Sequence, residues 1–242
     1  GNILDGMTIK DIGNHIDTKI LICAVERNGE VHIPDGNFTL VAGDIASFVS
    51  SRKKVKEFLV AIGFKTNKVK DTMIIGGGKS TYYLAKRLIR NGISVKIIES
   101  DRSRCEELSK LLPKAVIING DGTDEDLLKE EGIEYVESFV PLTGIDEENI
   151  LLTLYARQVS NAKVITKINR INFRDVINTL DLGSVVYPKY ITAEAIIAYV
   201  RAKTASKDSN IETLYHMFNH RVEAIEFRVD DESGVTDIPF KD

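Results

Sequence analysis

Gly76-Gly77-Gly78-Lys79-Ser80-Thr81 is the stretch of this chain best suited to chemistry. It follows an apolar run, Thr72-Met73-Ile74-Ile75. A helical pattern carried by Tyr83, Leu84, Arg87 and Leu88 comes after it. The spacing is G-x-G-x-x-T. In such a strand–turn–helix the first glycine permits the tight turn and the second lets a pyrophosphate approach the backbone. The following helix offers unpaired N–H groups and a partial positive charge. Thr81 stands where a third glycine usually allows close helix–strand packing, so the expectation is a helix pushed slightly outward. Glu99, with Ser100 beside it, closes the next strand, where a carboxylate accepts hydrogen bonds from a ribose diol. It disfavours a 2′-phosphate, while Arg102 nearby keeps NADP open. The competing reading is a purely structural glycine turn.

Other residues fall at the same sheet edge. Asp121 and Gly122 of Gly120-Asp121-Gly122-Thr123 follow the third strand, and Thr143-Gly144 follows the fourth. Ligands of open α/β sheets bind at that edge. Their structural alternatives are a helix cap on Thr123 and a strand-to-helix turn. Gly78-Lys79-Ser80 does not belong to a P-loop, because the glycine required five residues earlier is Met73, inside the strand. Lys79 is read either as a phosphate contact or as a solvated lysine. His216 and His220 are four apart, as on one helix face, but no glutamate follows His216, so a metalloprotease site is not read there.

These residues need a scaffold. Apolar runs at 72–75, 94–98, 115–118, 139–142, 164–168 and 184–187 alternate with helical patterns. The expected fold is α/β, a Rossmann-like doubly wound parallel sheet of about six strands, over residues 72–204. A small α+β lobe precedes it at 1–62. That lobe has a run at 19–25, an Asn28-Gly29 hairpin turn, strand candidates at 38–40 and 45–49, and a helix near 53–61. Residues 63–71 read as a linker. Beyond the sheet, a helix from Ile191 to about Lys203 carries an apolar stripe of Ile191, Ala195, Ala198 and Tyr199. A polar break, a short helix near 212–218 and an alternating strand near 222–229 complete the pattern, and 205–242 reads as the start of a second small lobe.

The composition is that of a globular protein, with 43% hydrophobic and 28% charged residues and a net charge of −4. No basic stripe suggests nucleic acid, and no apolar run is long enough to cross a bilayer. Cys23 and Cys105 form no paired motif and fit a reducing compartment as apolar fillers. Gly6-Met7-Thr8-Ile9-Lys10-Asp11 can be laid on Asp237-Ile238-Pro239-Phe240-Lys241-Asp242, which suggests a piece of a tandem array with a period of about 231 residues.

Several motifs occur in order: Met73-Ile74-Ile75-Gly76-Gly77-Gly78, Ile97-Ile98-Glu99-Ser100-Asp101, Cys105-Glu106-Glu107-Leu108, Ile118-Asn119-Gly120-Asp121-Gly122-Thr123-Asp124 and Asp146-Glu147-Glu148-Asn149-Ile150. Together they resemble the RCK domain family, in particular the TrkA-type cytosolic regulatory subunits of bacterial Trk potassium uptake systems. Arg27-Asn28-Gly29-Glu30-Val31, Ile33-Pro34-Asp35-Gly36 and Ala42-Gly43-Asp44 resemble the C-terminal lobe of a preceding unit. The resemblance implies Rossmann lobes that bind NAD(H), with ATP or ADP as alternatives. It also implies homo-oligomers joined through RCK lobes and a membrane-embedded potassium channel or transporter as partner. The implied location is cytoplasmic, peripheral on the inner face of the membrane, without insertion into it. The alternative from another class is an NAD-dependent dehydrogenase, which needs an acid–base group near the nicotinamide. Pro141-Leu142-Thr143 supplies none.

Overall fold

The computed structural model describes residues 3–16, 20–64, 68–170, 174–205, 211–217, 221–227 and 229. It divides into two compact units, Gly1–Asn67 with Ala195–Asp242, and Lys68–Glu194.

The first unit opens with helix α1 (Ile9–His15), started by Thr8, whose hydroxyl accepts the Asp11 N–H. Strands β1 (Leu21–Arg27) and β2 (Glu30–His32) form a hairpin, and β3 (Ile45–Val49) pairs antiparallel on the other side of β1. Asn28 and Gly29 both have positive φ, as the two-residue turn requires. Helix α2 (Arg52–Ala61) is capped by Ser51. Ile12, Ile22, Val25, Leu40, Phe58 and Ile62 form the core. The expected strand at 38–40 does not form; Thr39 makes a single bridge to Thr8. The backbone there serves other groups. Arg27 is held bidentate by Asp44 (2.8 and 2.7 Å) and also donates to the Thr39 carbonyl.

The second unit alternates strand and helix. Its elements are β4 (Asp71–Ile75), α3 (Lys79–Arg90), β5 (Ser94–Glu99), α4 (Arg102–Leu111), β6 (Val116–Asn119), α5 (Glu125–Glu130), β7 (Ser138–Pro141), α6 (Asp146–Val159), β8 (Lys163–Lys167), α7 (Arg174–Thr179) and β9 (Ser184–Val186). All the strand pairs are parallel, in the order β6-β5-β4-β7-β8-β9. This is the doubly wound arrangement expected from the sequence, and it reverses direction between β4 and β7. The alternation of side chains explains the apolar runs. Met73, Ile75, Ile98 and Phe139 face a core completed by Leu128 and Leu152. Ile74, Ile97 and Val140 face the opposite core with Ala85 and Leu108. A central strand covered on both faces has no polar side to show.

Helix α8 (Pro188–Ala205) follows, then β10 (Ile211–Met217) and β11 (Val222–Phe227), paired antiparallel. β10 corrects the expected short helix. Ile211, Thr213 and Tyr215 are strand formers at alternate positions, and the neighbouring β11 offers a ladder that an isolated short helix cannot match. His216 is therefore on a strand opposite Glu223, and the helical-face reading of His216 and His220 has no basis; His220 lies outside the described residues, as do 237–242.

Candidate nucleotide site

The sheet reversal opens a crevice of about 700 Å³ at the carboxyl ends of β4, β5, β7 and β8 and in the loop after β6. Gly76, Gly77, Gly78, Lys79, Ser80, Glu99, Ser100, Asp121, Gly122, Thr143 and Gly144 line it. Residues separated by up to 68 positions are thus gathered at one edge. Two expected members are elsewhere. Thr81 is fully buried and its hydroxyl donates to the Gly76 carbonyl at 2.5 Å. That bond ties the first turn of α3 back to the glycine turn, so the polar atom is satisfied there. Arg102 is exposed on α4 and pairs with Glu106 one turn on.

Each glycine has its own reason. Gly76 has φ +94°, and a Cβ there would come within 3.1 Å of the Leu142 carbonyl oxygen. Gly77 is the tightest of the three. A Cβ would lie 2.8 Å from both Glu99 Oε2 and Leu108 Cδ1. Gly78 is the N-cap of α3 and has no side chain to bond the first turn. A Cβ on Gly78 meets nothing within 4 Å. The open space lies over the helix N-terminus, where backbone donors are free for an anion.

The loop is anchored from β5 and α4. Glu99 Oε2 accepts the Gly77 N–H, and Oε1 accepts the Asp101 N–H at 2.8 Å. Arg104 Nε donates to the Gly77 carbonyl at 2.6 Å. Asn119 Nδ2 holds the carbonyls of Glu99 and Ser100. The Asp121 carboxylate accepts the backbone N–H and hydroxyl of Thr123, and these bonds keep it below the usual carboxylate range. The cap of α5 is Asp124, not Thr123, since Asp124 takes the N–H groups of Asp126 and Leu127. Cys105 is buried under β5; desolvation pushes its thiol up, as befits a filler rather than a nucleophile.

The far side of the crevice is organised by residues the glycine motif does not reveal. Asn149 on α6 is fully buried. Its Oδ1 accepts the Thr143 N–H at 2.9 Å, and its Nδ2 donates to the carbonyls of Thr143 and Lys167. It therefore locks the ends of β7 and β8 together. Lys167 and Glu148 line the crevice there. Lys167 Nζ donates to the Leu142 carbonyl at 3.2 Å, and burial lowers its pKa against support from Asp146. Asp146 accepts the backbone N–H groups of Asn169 and Arg170. Lys167 ends a strand, so the carboxyl-edge rule was the signal available for it. Asn149 carries no such signal.

Comparison with known proteins agrees with this fold. The TrkA-N domain model matches residues 72–188 and the TrkA-C domain model matches residues 1–63. The chain belongs to the TrkA-N/TrkA-C family. The Trk system potassium uptake protein TrkA of Haemophilus influenzae is 33% identical over 211 residues, 87% of this chain and 45% of that protein. A TrkA homolog 1 of Methanosarcina mazei is 30% identical over 236 residues, 95% of this chain and 51% of that protein. The chain thus spans about half the length of these TrkA relatives. Among solved structures, the GsuK channel bound to NAD superposes with a TM-score of 0.61 at 20% identity, covering 89% of this chain and 38% of that one. That likeness concerns the fold. Among the described residues no helix is long and apolar enough to cross a membrane.

Proposed function

We propose that this chain is part of a regulatory subunit that binds NAD(H) and thereby gates a membrane-embedded potassium transporter or channel. One observation carries the reading. The open space at Gly78 lies over the free N-terminus of α3, with the Glu99 carboxylate across the loop and crevice on both sides of the sheet reversal. That is a phosphate seat, a ribose acceptor and room for a second half, as a dinucleotide requires. The family resemblance supplies the potassium context, the ring of lobes and a cytoplasmic position at the inner membrane face. ATP and ADP share the adenosine and phosphate chemistry and compete for the same seat.

The bound nucleotide acts by position rather than by reaction. It shifts a gate only by binding one arrangement of the assembly more tightly than another. A dehydrogenase, the alternative, would have to draw its proton-transfer group from a lysine or carboxylate such as Lys167 or Glu148, since among the described residues no His or Tyr lines the crevice. Calorimetric titration with NADH, NAD, ATP, ADP and AMP tests the reading, alongside an absorbance assay for hydride transfer with simple hydroxy acids. The expected outcome is saturable one-site binding without turnover. Failure of every nucleotide to bind overturns it, and steady turnover supports the enzyme.

A further inference from the structure

We propose that Lys167 reads the second half of the bound nucleotide, its ammonium donating to ligand oxygens that lie beyond the proximal phosphate. The inference rests on the nucleotide reading above and adds a residue that decides which nucleotide is held well.

A doubly wound sheet places one mononucleotide unit on each half of the crevice. Glu99 ends β5 and fixes the adenosine side. The remaining half must then lie over β7 and β8. Among the described residues the lining on that side is apolar or uncharged at Leu142, Thr143, Gly144 and Ile145, with two charged side chains, Glu148 and Lys167. Lys167 is the cation. An ammonium has three donors, and one goes to the Leu142 carbonyl at 3.2 Å. That carbonyl is the atom a Cβ on Gly76 would meet first, so the amine is held beside the phosphate loop.

The lysine backbone is fixed as well. Buried Asn149 ties the Lys167 carbonyl to both backbone polar groups of Thr143. A donor on so rigid a base needs little ordering when a ligand arrives. Burial already costs the ammonium part of its hydration, and an oxygen acceptor in the crevice restores a partner. The acceptor is either a terminal phosphate of ADP or ATP, or a ribose hydroxyl or carboxamide oxygen of a nicotinamide half. Both present oxygen at the same place. AMP has neither.

The experiment is calorimetry of the 242-residue chain with AMP, ATP and NADH, for wild type, Lys167→Met and Lys167→Arg, each checked by thermal melting. The expected result is AMP affinity within about twofold in all three proteins. NADH, ATP or both weaken about tenfold or more in Lys167→Met, and Lys167→Arg recovers most of the loss. Loss confined to NADH assigns the nicotinamide half as the acceptor, and loss confined to ATP assigns the terminal phosphates. Equal weakening of all three ligands, or none, overturns the proposal while leaving the nucleotide site in place. A wild type that binds no nucleotide instead removes the site itself. If Lys167→Met melts well below wild type, Lys167→Gln, which removes the charge and keeps a neutral donor on a shorter stem, carries the same comparison.

Discussion

Glu99 Oε2 accepts the backbone N–H of Gly77 at 2.5 Å, so the residue proposed to hold a ribose also fixes the loop proposed to hold the phosphates. Its other oxygen takes the N–H of Asp101, the cap of α4. The carboxylate therefore joins the end of β5, the glycine turn and the next helix. Glu99→Gln keeps the shape and removes the charge. We predict that it weakens NADH and ADP binding by about 1–3 kcal/mol, the range for hydrogen bonds to charged groups. Unchanged affinity for both ligands by calorimetry would take the ribose away from Glu99.

Gly77 and Gly78 are adjacent but separate folding from binding. A Cβ on Gly78 meets nothing within 4 Å, whereas one on Gly77 would crowd Glu99 and Leu108 at 2.8 Å. We predict that Gly78→Val melts close to wild type and loses nucleotide binding, because the branched side chain fills the phosphate space. Gly77→Val is expected to lose about 1–3 kcal/mol of stability, as overpacked sites do. Melting curves and titrations of the pair check this. A Gly78→Val protein that binds normally removes the phosphates from this loop.

The α/β half was legible in the sequence because its central strands are apolar on both faces and its glycine turn is local. The crevice residues after the first four strands could be named for the same reason. Helix α1 was missed. It is a single short stretch containing Gly13, with Thr8 and Asp11 as its one start signal. β10 was misread because Ile211, Leu214 and Tyr215 also fit helical spacing; the pairing with β11 decides it. Lys167 and Asn149 reach the site from a strand end and a helix far along the chain. Only the sheet order brings them to the glycine loop, and local patterns do not contain that order.

Acid should loosen the β8 end of the crevice through Asp146. Burial raises this carboxyl, but hydrogen bonds from Asn169 and Arg170, with the Arg170 charge, outweigh it and hold the group below the ordinary range. A depressed carboxyl contributes stability above its unfolded value, about 3.9, and loses it as pH falls from there toward the folded value. Its side chain is 7% exposed, so removing it leaves buried N–H groups without a partner. We predict that Asp146→Ala costs about 2–4 kcal/mol at pH 7, and that the gap to wild type narrows below about pH 4. Denaturant melts at both pH values measure it. A constant gap across that range would mean that the carboxylate charge is not what stabilises the loop.

Helix α8 exposes Ile191, Ile196 and Ile197 as well as Tyr199, more apolar surface than a solvated helix needs. We predict that copies of the chain associate through this helix and that the double variant Ile196→Glu, Ile197→Glu shifts the equilibrium to monomer. Sedimentation across protein concentration decides the matter. A wild type that stays monomeric at high concentration, or a variant that associates equally well, contradicts it.

The most direct test of the account is a crystal structure of this chain grown with NADH. The pyrophosphate is predicted on the backbone N–H groups of Gly78 and Lys79, over the start of α3. The adenosine ribose hydroxyls should lie on Glu99, and the nicotinamide half over the ends of β7 and β8. A dinucleotide bound away from the Gly76–Gly78 loop, or a crevice that remains empty at saturating NADH, would contradict the central claim.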